Sequence, residues 1–310
     1  MSLTTIRLRE AWNFGGLSLK ELAIRTYRQI ETHETLDRAA IIAFYAMTSL
    51  APFLSFLLAI SLGLESGFAA QLIAFARQFL PPEALTIVVD QIQKIQTTSP
   101  VGVLSFSFVV LLWSSSGISI SMIDSTNAAY QVRDSRPFWR RRLLASALTL
   151  VEAILMIAAV TIVIIWPHLL RWLGLDSVAT AAATVIQWII VVIALLLIFA
   201  MTYYFAPDVK QEWEWITPGS ALGVLVLIVS SLGLRLYFLY AAHSAETYGA
   251  LAGVVLMMLW LYVAALALLV GAEINSVIEH AAPHGKAPGD KVSPQQASDM
   301  PMPQQSALAQ

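Results

Sequence analysis

The sequence predicts an all-α membrane protein, a bundle of six transmembrane helices with an outer amphipathic helical segment. Three observations lead there. Six apolar stretches, residues 39–64, 101–123, 143–166, 178–206, 216–242 and 247–272, cover 155 of 310 residues yet hold only Glu152 and Arg235 of the 38 charged side chains. Each is long enough to cross a hydrocarbon core of ~30 Å as a helix rising 1.5 Å per residue. Hydrophobic residues make up 58% of the chain and mean hydropathy is +0.71, a surplus that lipid must absorb.

Residues 1–38 read as a cytoplasmic amphipathic arm. They hold six Lys or Arg and no apolar core of the kind a cleavable signal needs, so the first span is its own insertion signal. Ser18-Leu-Lys-Glu21 is a capping-box pattern, followed by Leu19, Leu22, Ala23, Thr26 and Ile30 at helical spacing, which predicts a short helix on the inner membrane face. Positive residues near span ends stay on the cytoplasmic side. With the N-terminus inside, 14 of the 18 Lys and Arg fall inside and Arg77, Lys94 and Arg171 outside, so both termini are expected in the cytoplasm.

Residues 65–100 are too many for a simple connection. Leu85, Val88, Ile92 and Ile95, with Phe68, Leu72, Ile73 and Phe79 before the Pro81-Pro82 break, predict two amphipathic helices capping the outer end. Residues 280–310, rich in Pro, Gln, Ser and Ala, read as a disordered cytoplasmic tail.

Pro52 interrupts the first span and frees a backbone carbonyl that the Thr48 or Ser49 hydroxyl could satisfy, making it a candidate hinge or a packing kink. The second span carries Trp113-Ser-Ser-Ser-Gly117, including Ser115, and then Asn127, residues that either let helices approach or line a polar cavity. Gly219/Gly223 and Gly249/Gly253 are small pairs four apart, as at helix contacts. Glu152, nine residues into its span, is placed near mid-membrane, where an acid is a candidate functional group. Arg235 sits ~13 Å away along the axis in straight helices, so a direct pair is not expected; it is read as snorkelling outward or meeting Glu246. Trp166, Trp172, Tyr203 and Tyr204 read as interfacial anchors.

Enzyme chemistry finds little support. Cysteine is absent, and the five histidines lack metal-site spacing. There is no Gly-rich phosphate loop with a following Lys, and no serine has a neighbouring His to activate it. No cofactor, metal or nucleic-acid partner is expected, and the chain is read as a non-enzyme.

Ala40-Ile-Ile-Ala-Phe-Tyr45 with Ser49-Leu-Ala-Pro52, Trp113-Ser-Ser-Ser-Gly117 with Asn127, Ala206-Pro207-Asp208 with Thr217-Pro-Gly219, and Tyr248-Gly-Ala with Trp260-Leu-Tyr262 and Gly271-Ala-Glu273-Ile-Asn275 resemble, in this order, the YihY/BrkB family of bacterial inner-membrane proteins. The resemblance runs from about residue 20 to 280 and implies a six-span protein of the cytoplasmic membrane. Glu152 and Arg235 fall outside the recognised pattern. The family's other label, ribonuclease BN, is opposed by the residues, since RNA cleavage needs metal ligands or an acid/base pair in a basic soluble site. The expected function is transport or translocation of a small or lipid-like solute, with Glu152, Arg235, Asn127, Ser115, Glu273 and Asn275 as candidate intramembrane polar residues. The alternative is a non-enzymatic scaffold or assembly factor for envelope proteins. Expected partners are the lipid bilayer and an unidentified solute or envelope protein; oligomeric state stays open.

Overall fold

The computed structural model describes residues 11–63, 100–174, 177–211, 216–283 and 285–292. All regular structure among them is helical: α1 (Leu19–Thr32), α2 (Thr35–Gly63), α3 (Pro100–Ala129), α4 (Phe138–Leu173), α5 (Ser177–Phe205) and α6 (Pro218–Ala281). Among the described residues, five stretches are long and apolar enough to cross a membrane: Phe108–Ala129, Phe138–Val163, Ala179–Phe205, Pro218–Leu236 and Val254–Ala281. The 29-residue α2 contains residues 39–63 of the first stretch predicted from sequence, 39–64. The outer segment expected over residues 65–100 lies, apart from Pro100, outside the described residues.

α1 forms where the pattern placed a helix, and its start is the capping box itself. Ser18 Oγ accepts from the Glu21 N–H at 3.2 Å, and Glu21 Oε2 accepts from the Ser18 N–H at 3.0 Å. These bonds satisfy two donors that a helix start otherwise leaves orphaned. Leu22 then packs against Ile274, Val277 and Ile278 of α6, fixing the arm to the bundle.

α6 is 64 residues long, and a straight helix of that length would measure ~96 Å. It instead doubles back. Gly219 meets Gly271 and Gly223 meets Ala267, pairs that are both symmetric about residue 245, so the helical segment is an antiparallel hairpin reversing there. Close approach explains the glycines: a Cβ on Gly219 would overlap the Gly271 carbonyl oxygen, and one on Gly223 would come within 3.0 Å of both Phe199 and the Ala267 carbonyl. Gly219/Gly223 is thus a helix-contact patch, while the surroundings of Gly249 and Gly253 lie outside the described residues.

The helices close into a ring, α2 on α3, α3 on α4, α4 on α5, α5 on α6 and α6 back on α2, with α3 also touching α6. Ala39 and Ile42 of α2, Ile198, Phe199 and Tyr203 of α5, and Val224, Leu268 and Leu269 of α6 form the main core. Outward faces carry large exposed apolar residues such as Leu150, Ile154 and Ile157 on α4 and Ile186, Ile189 and Ile193 on α5. A lipid environment accounts for them, whereas a soluble monomer rarely exposes such continuous patches.

Two sequence readings need correction. Tyr203 is not an interfacial anchor: it is buried, and its hydroxyl donates to the Leu268 carbonyl at 2.7 Å, because α5 is covered by α6 at this level. The tail does not become disordered at residue 280. α6 continues to Ala281, and residues up to 292 dock on the bundle, since Lys286 pairs with Glu279 and Lys291 Nζ donates to Asp208 Oδ2 at 2.5 Å. Residues 293–310 lie outside the described residues.

Candidate functional site

The polar side chains concentrate at the end of the ring where α2 and α4 begin and α3 and α5 finish. There Asn127 closes α3. Its Oδ1 accepts from the Asp208 N–H at 2.7 Å, and its Nδ2 donates to Asp134 Oδ2 at 3.3 Å. One amide therefore ties the 130–137 loop to the 206–211 loop. Arg136 reinforces the junction with a two-pronged pair to Asp134, 2.9 Å on each arm, and a bond to the Ala206 carbonyl at 2.7 Å. Asp208 Oδ2 accepts from the Ser135 N–H at 2.8 Å, the Ser135 hydroxyl at 2.7 Å and Lys291. Arg141 pairs with Asp124.

Burial pushes the Asp208 carboxyl up, but the Lys291 ammonium and the Ser135 donors outweigh it and hold it below the ordinary carboxylate value. Asp134 behaves alike, with burial overcome by the Arg136 guanidinium and N–H. A depressed carboxylate stabilises the fold fully above its unfolded value and loses that contribution as pH falls through the folded one. The clamp is therefore intact at neutral pH and loosens below about 4. Asp208→Asn is expected to mimic acid at pH 7, at about 1 kcal/mol given partial solvent screening. Hydrogen exchange over residues 286–292 should rise severalfold in the variant; unchanged protection there would refute the clamp.

A second cluster joins the arm to the same end. Glu273 is buried, its Oε1 accepting from the Thr35 hydroxyl at 3.0 Å and its two oxygens 3.0 and 3.1 Å from His33 Nδ1. Two residues on, Asn275 Oδ1 accepts from the Gly219 N–H and its Nδ2 donates to Thr217 Oγ1, both at 2.9 Å, pinning the hairpin arms. Ser276 donates to the Ala129 carbonyl at 2.6 Å.

The third site is Glu152. The Thr202 hydroxyl lies 2.6 Å from its Oε1 and 3.0 Å from the Ile198 carbonyl. Thr202 stands three residues before the end of α5, about one turn or ~5 Å from it, while Glu152 lies 14 residues from the start of α4 at Phe138, ~21 Å along that helix. Ser119 Oγ and Thr149 Oγ1, 2.7 Å apart, extend the hydroxyl contacts from α4 to α3.

The structure brings Asn127, Glu273 and Asn275 to one end and leaves the other predicted residues apart. Ser115 back-bonds to the Leu111 carbonyl at 2.6 Å. Arg235 is exposed on the first arm of α6 and pairs with no acid among the described residues; the Glu246 side chain lies outside them. Pro52 sits within α2, but Thr48 and Ser49 both donate to the Tyr45 carbonyl, not to the carbonyl that the proline frees. Sequence reasoning missed His33, Thr35, Asp134, Arg136 and Lys291, whose partners are mostly distant in the chain. No group of three or more potential metal ligands occurs among the described residues.

A family profile described as Virulence factor BrkB matches residues 26–296. The chain belongs to this family. BrkB relatives include the putative ribonuclease-like protein YfkH of Bacillus subtilis (strain 168), 26% identical over 264 residues, 84% of this chain and 94% of that protein. A UPF0761 membrane protein of Paraburkholderia xenovorans (strain LB400) is 23% identical over 84% of this chain, which spans 60% of that relative. Another, from Tolumonas auensis, is 31% identical over 78 residues, a quarter of this chain. No solved structure matches. The BrkB match and the apolar helices together make this a multi-pass membrane protein of the BrkB/UPF0761 family.

Proposed function

We propose that this BrkB protein is a six-span protein of the bacterial cytoplasmic membrane that translocates a small or lipid-like solute, with Glu152 as a proton-binding group. The observation that carries the reading is the Glu152–Thr202 pair. Thr202 has one hydroxyl hydrogen and two neighbours that accept it. A protonated Glu152 donates to Thr202 while Thr202 donates to Ile198; an ionised Glu152 takes the hydrogen for itself. Proton binding thus reorients a contact between α4 and α5, and intramembrane acids more often serve function than packing. The Arg136–Asp134 and Lys291–Asp208 pairs bar the adjacent end, as a gate on a translocation path would.

The test is a deletion strain screened for altered tolerance to solutes and toxic compounds, complemented with wild type or Glu152→Gln. The variant keeps size and hydrogen bonding but cannot ionise, so it should fail to complement while expression and melting temperature stay unchanged. Full complementation across external pH would overturn the proton-binding role. A wild type that restores envelope-protein assembly without changing any solute's passage would favour the scaffold reading instead.

Orientation follows the same proposal. The arm, the 130–137 loop and the docked tail share one end, and the concentration of Lys and Arg there supports placing that end in the cytoplasm. Single cysteines at Gln91 and Ala242 should label from outside intact cells, and one at Ser135 should not. The reverse pattern would invert the topology. The ribonuclease-like name of the Bacillus relative describes that protein; for this chain we propose no enzymatic activity.

A further inference from the structure

We infer that the start of α4 is a binding site for the headgroup of an anionic phospholipid, centred on Arg140. α4 opens Phe138-Trp-Arg-Arg-Arg142, three guanidinium groups beside the helix's positive pole, with no acidic residue in the first turn. Two of the three are engaged within the protein. Arg141 holds Asp124, and Arg142 lies 3.8 Å over the Trp113 ring and donates to the Trp113 carbonyl at 2.6 Å. Arg140 is exposed, stacks 5.3 Å from the Trp139 ring, and meets no carboxylate among the described residues. The nearby acids are taken: Asp124 by Arg141, Asp134 by Arg136 and Arg141, Asp208 by Ser135 and Lys291.

What lies below Arg140 identifies the occupant. Leu143, Ala147, Leu150, Ile154 and Ile157 follow it at spacings of 3, 4, 3, 4 and 3, within about 100° of the helix circumference. All are exposed, Leu143 at 64% and both isoleucines at 57%. A guanidinium heads an apolar stripe, with Phe138 and Trp139 exposed at 75% and 60% beside it. An acyl chain fits along the stripe while its phosphate meets Arg140, the level at which amphipathic aromatic rings anchor a span. A free anion would use the charge and leave the stripe and both rings without a role. The inference holds whether or not the protein transports anything.

The experiment measures lipid retention by full-length protein exchanged from detergent into nanodiscs. The nanodiscs contain phosphatidylcholine with a minor fraction of phosphatidylglycerol of the same acyl chains, and bound lipid is read by native mass spectrometry. Wild type should retain phosphatidylglycerol over phosphatidylcholine, and Arg140→Gln should lose about fivefold of that preference, the weight of one basic residue at an anionic surface. Arg133→Gln, also exposed but off the stripe, should keep it. An unchanged preference in Arg140→Gln, or none in wild type, would overturn the site. Displacement of the lipid by inorganic phosphate at equal concentration would overturn its assignment to lipid.

Discussion

Gly219→Ala is expected to abolish the folded α6 hairpin although it adds a single methyl group. The new Cβ would overlap the Gly271 carbonyl oxygen and press on the Asn275 amide, which at 2.9 Å holds the Gly219 N–H. Neither neighbour can yield: one is backbone, and the other is fixed through Thr217 Oγ1. Overpacking of this kind costs ~1–3 kcal/mol, and parting the arms would break the Asn275 bonds as well, each worth roughly 1 kcal/mol. Gly233→Ala, in the same arm but with no atom within 4 Å of its Cβ, should be neutral or stabilising by about 0.5–1 kcal/mol, because alanine is the better helix former. Detergent-solubilised protein should lose its monodisperse peak and drop in melting temperature for Gly219→Ala alone. Equal behaviour of the two variants would show that the hairpin does not depend on that approach.

This contrast also marks what could be read in advance. Apolar length and charge placement located the long helices but missed their ends by up to nine residues, because both record the cost of putting charge in hydrocarbon and helices run on past it. Gly219 and Asn275 each stood in a recognisable motif, yet their contact joins positions 56 apart, and nothing in either motif names the other. Glu152 was placed by counting along one apolar stretch, and such a count cannot name the residue that packs opposite it; packing of α4 on α5 brings Thr202 there, near the end of α5. The tail misled because its Pro-rich composition predicts disorder, while Lys286 and Lys291 find acidic partners that composition cannot reveal. Tyr203 looked like a surface ring because it ends an apolar stretch, and only the covering α6 makes it core.

Removing Glu273 is expected to release the N-terminal arm. His33 is the C-cap of α1, Thr35 opens α2, and Glu34 between them has a φ of 53°, so the chain turns sharply where both side chains converge on one carboxylate. Glu273→Ala leaves the Thr35 hydroxyl and His33 Nδ1 buried without their acceptor and opens space beside them, a loss of about 3–5 kcal/mol when a buried pair is broken on one side. Glu273→Gln preserves an acceptor for Thr35 and should cost less, roughly 1–2 kcal/mol. The damage should be local first, because among the described residues α1 is otherwise held by the small cluster around Leu22 and by contacts with α2 and α6. Trypsin at Arg28 or Arg38 reads it directly: both sites resist cleavage while His33 and Thr35 are pinned, and should become cut in Glu273→Ala before the bundle melts. An alanine variant with wild-type melting and no new cleavage would mean that the carboxylate does not hold the arm, and a glutamine variant as damaged as alanine would mean that charge on Glu273, rather than an acceptor for Thr35, fastens α1 and α2 to α6.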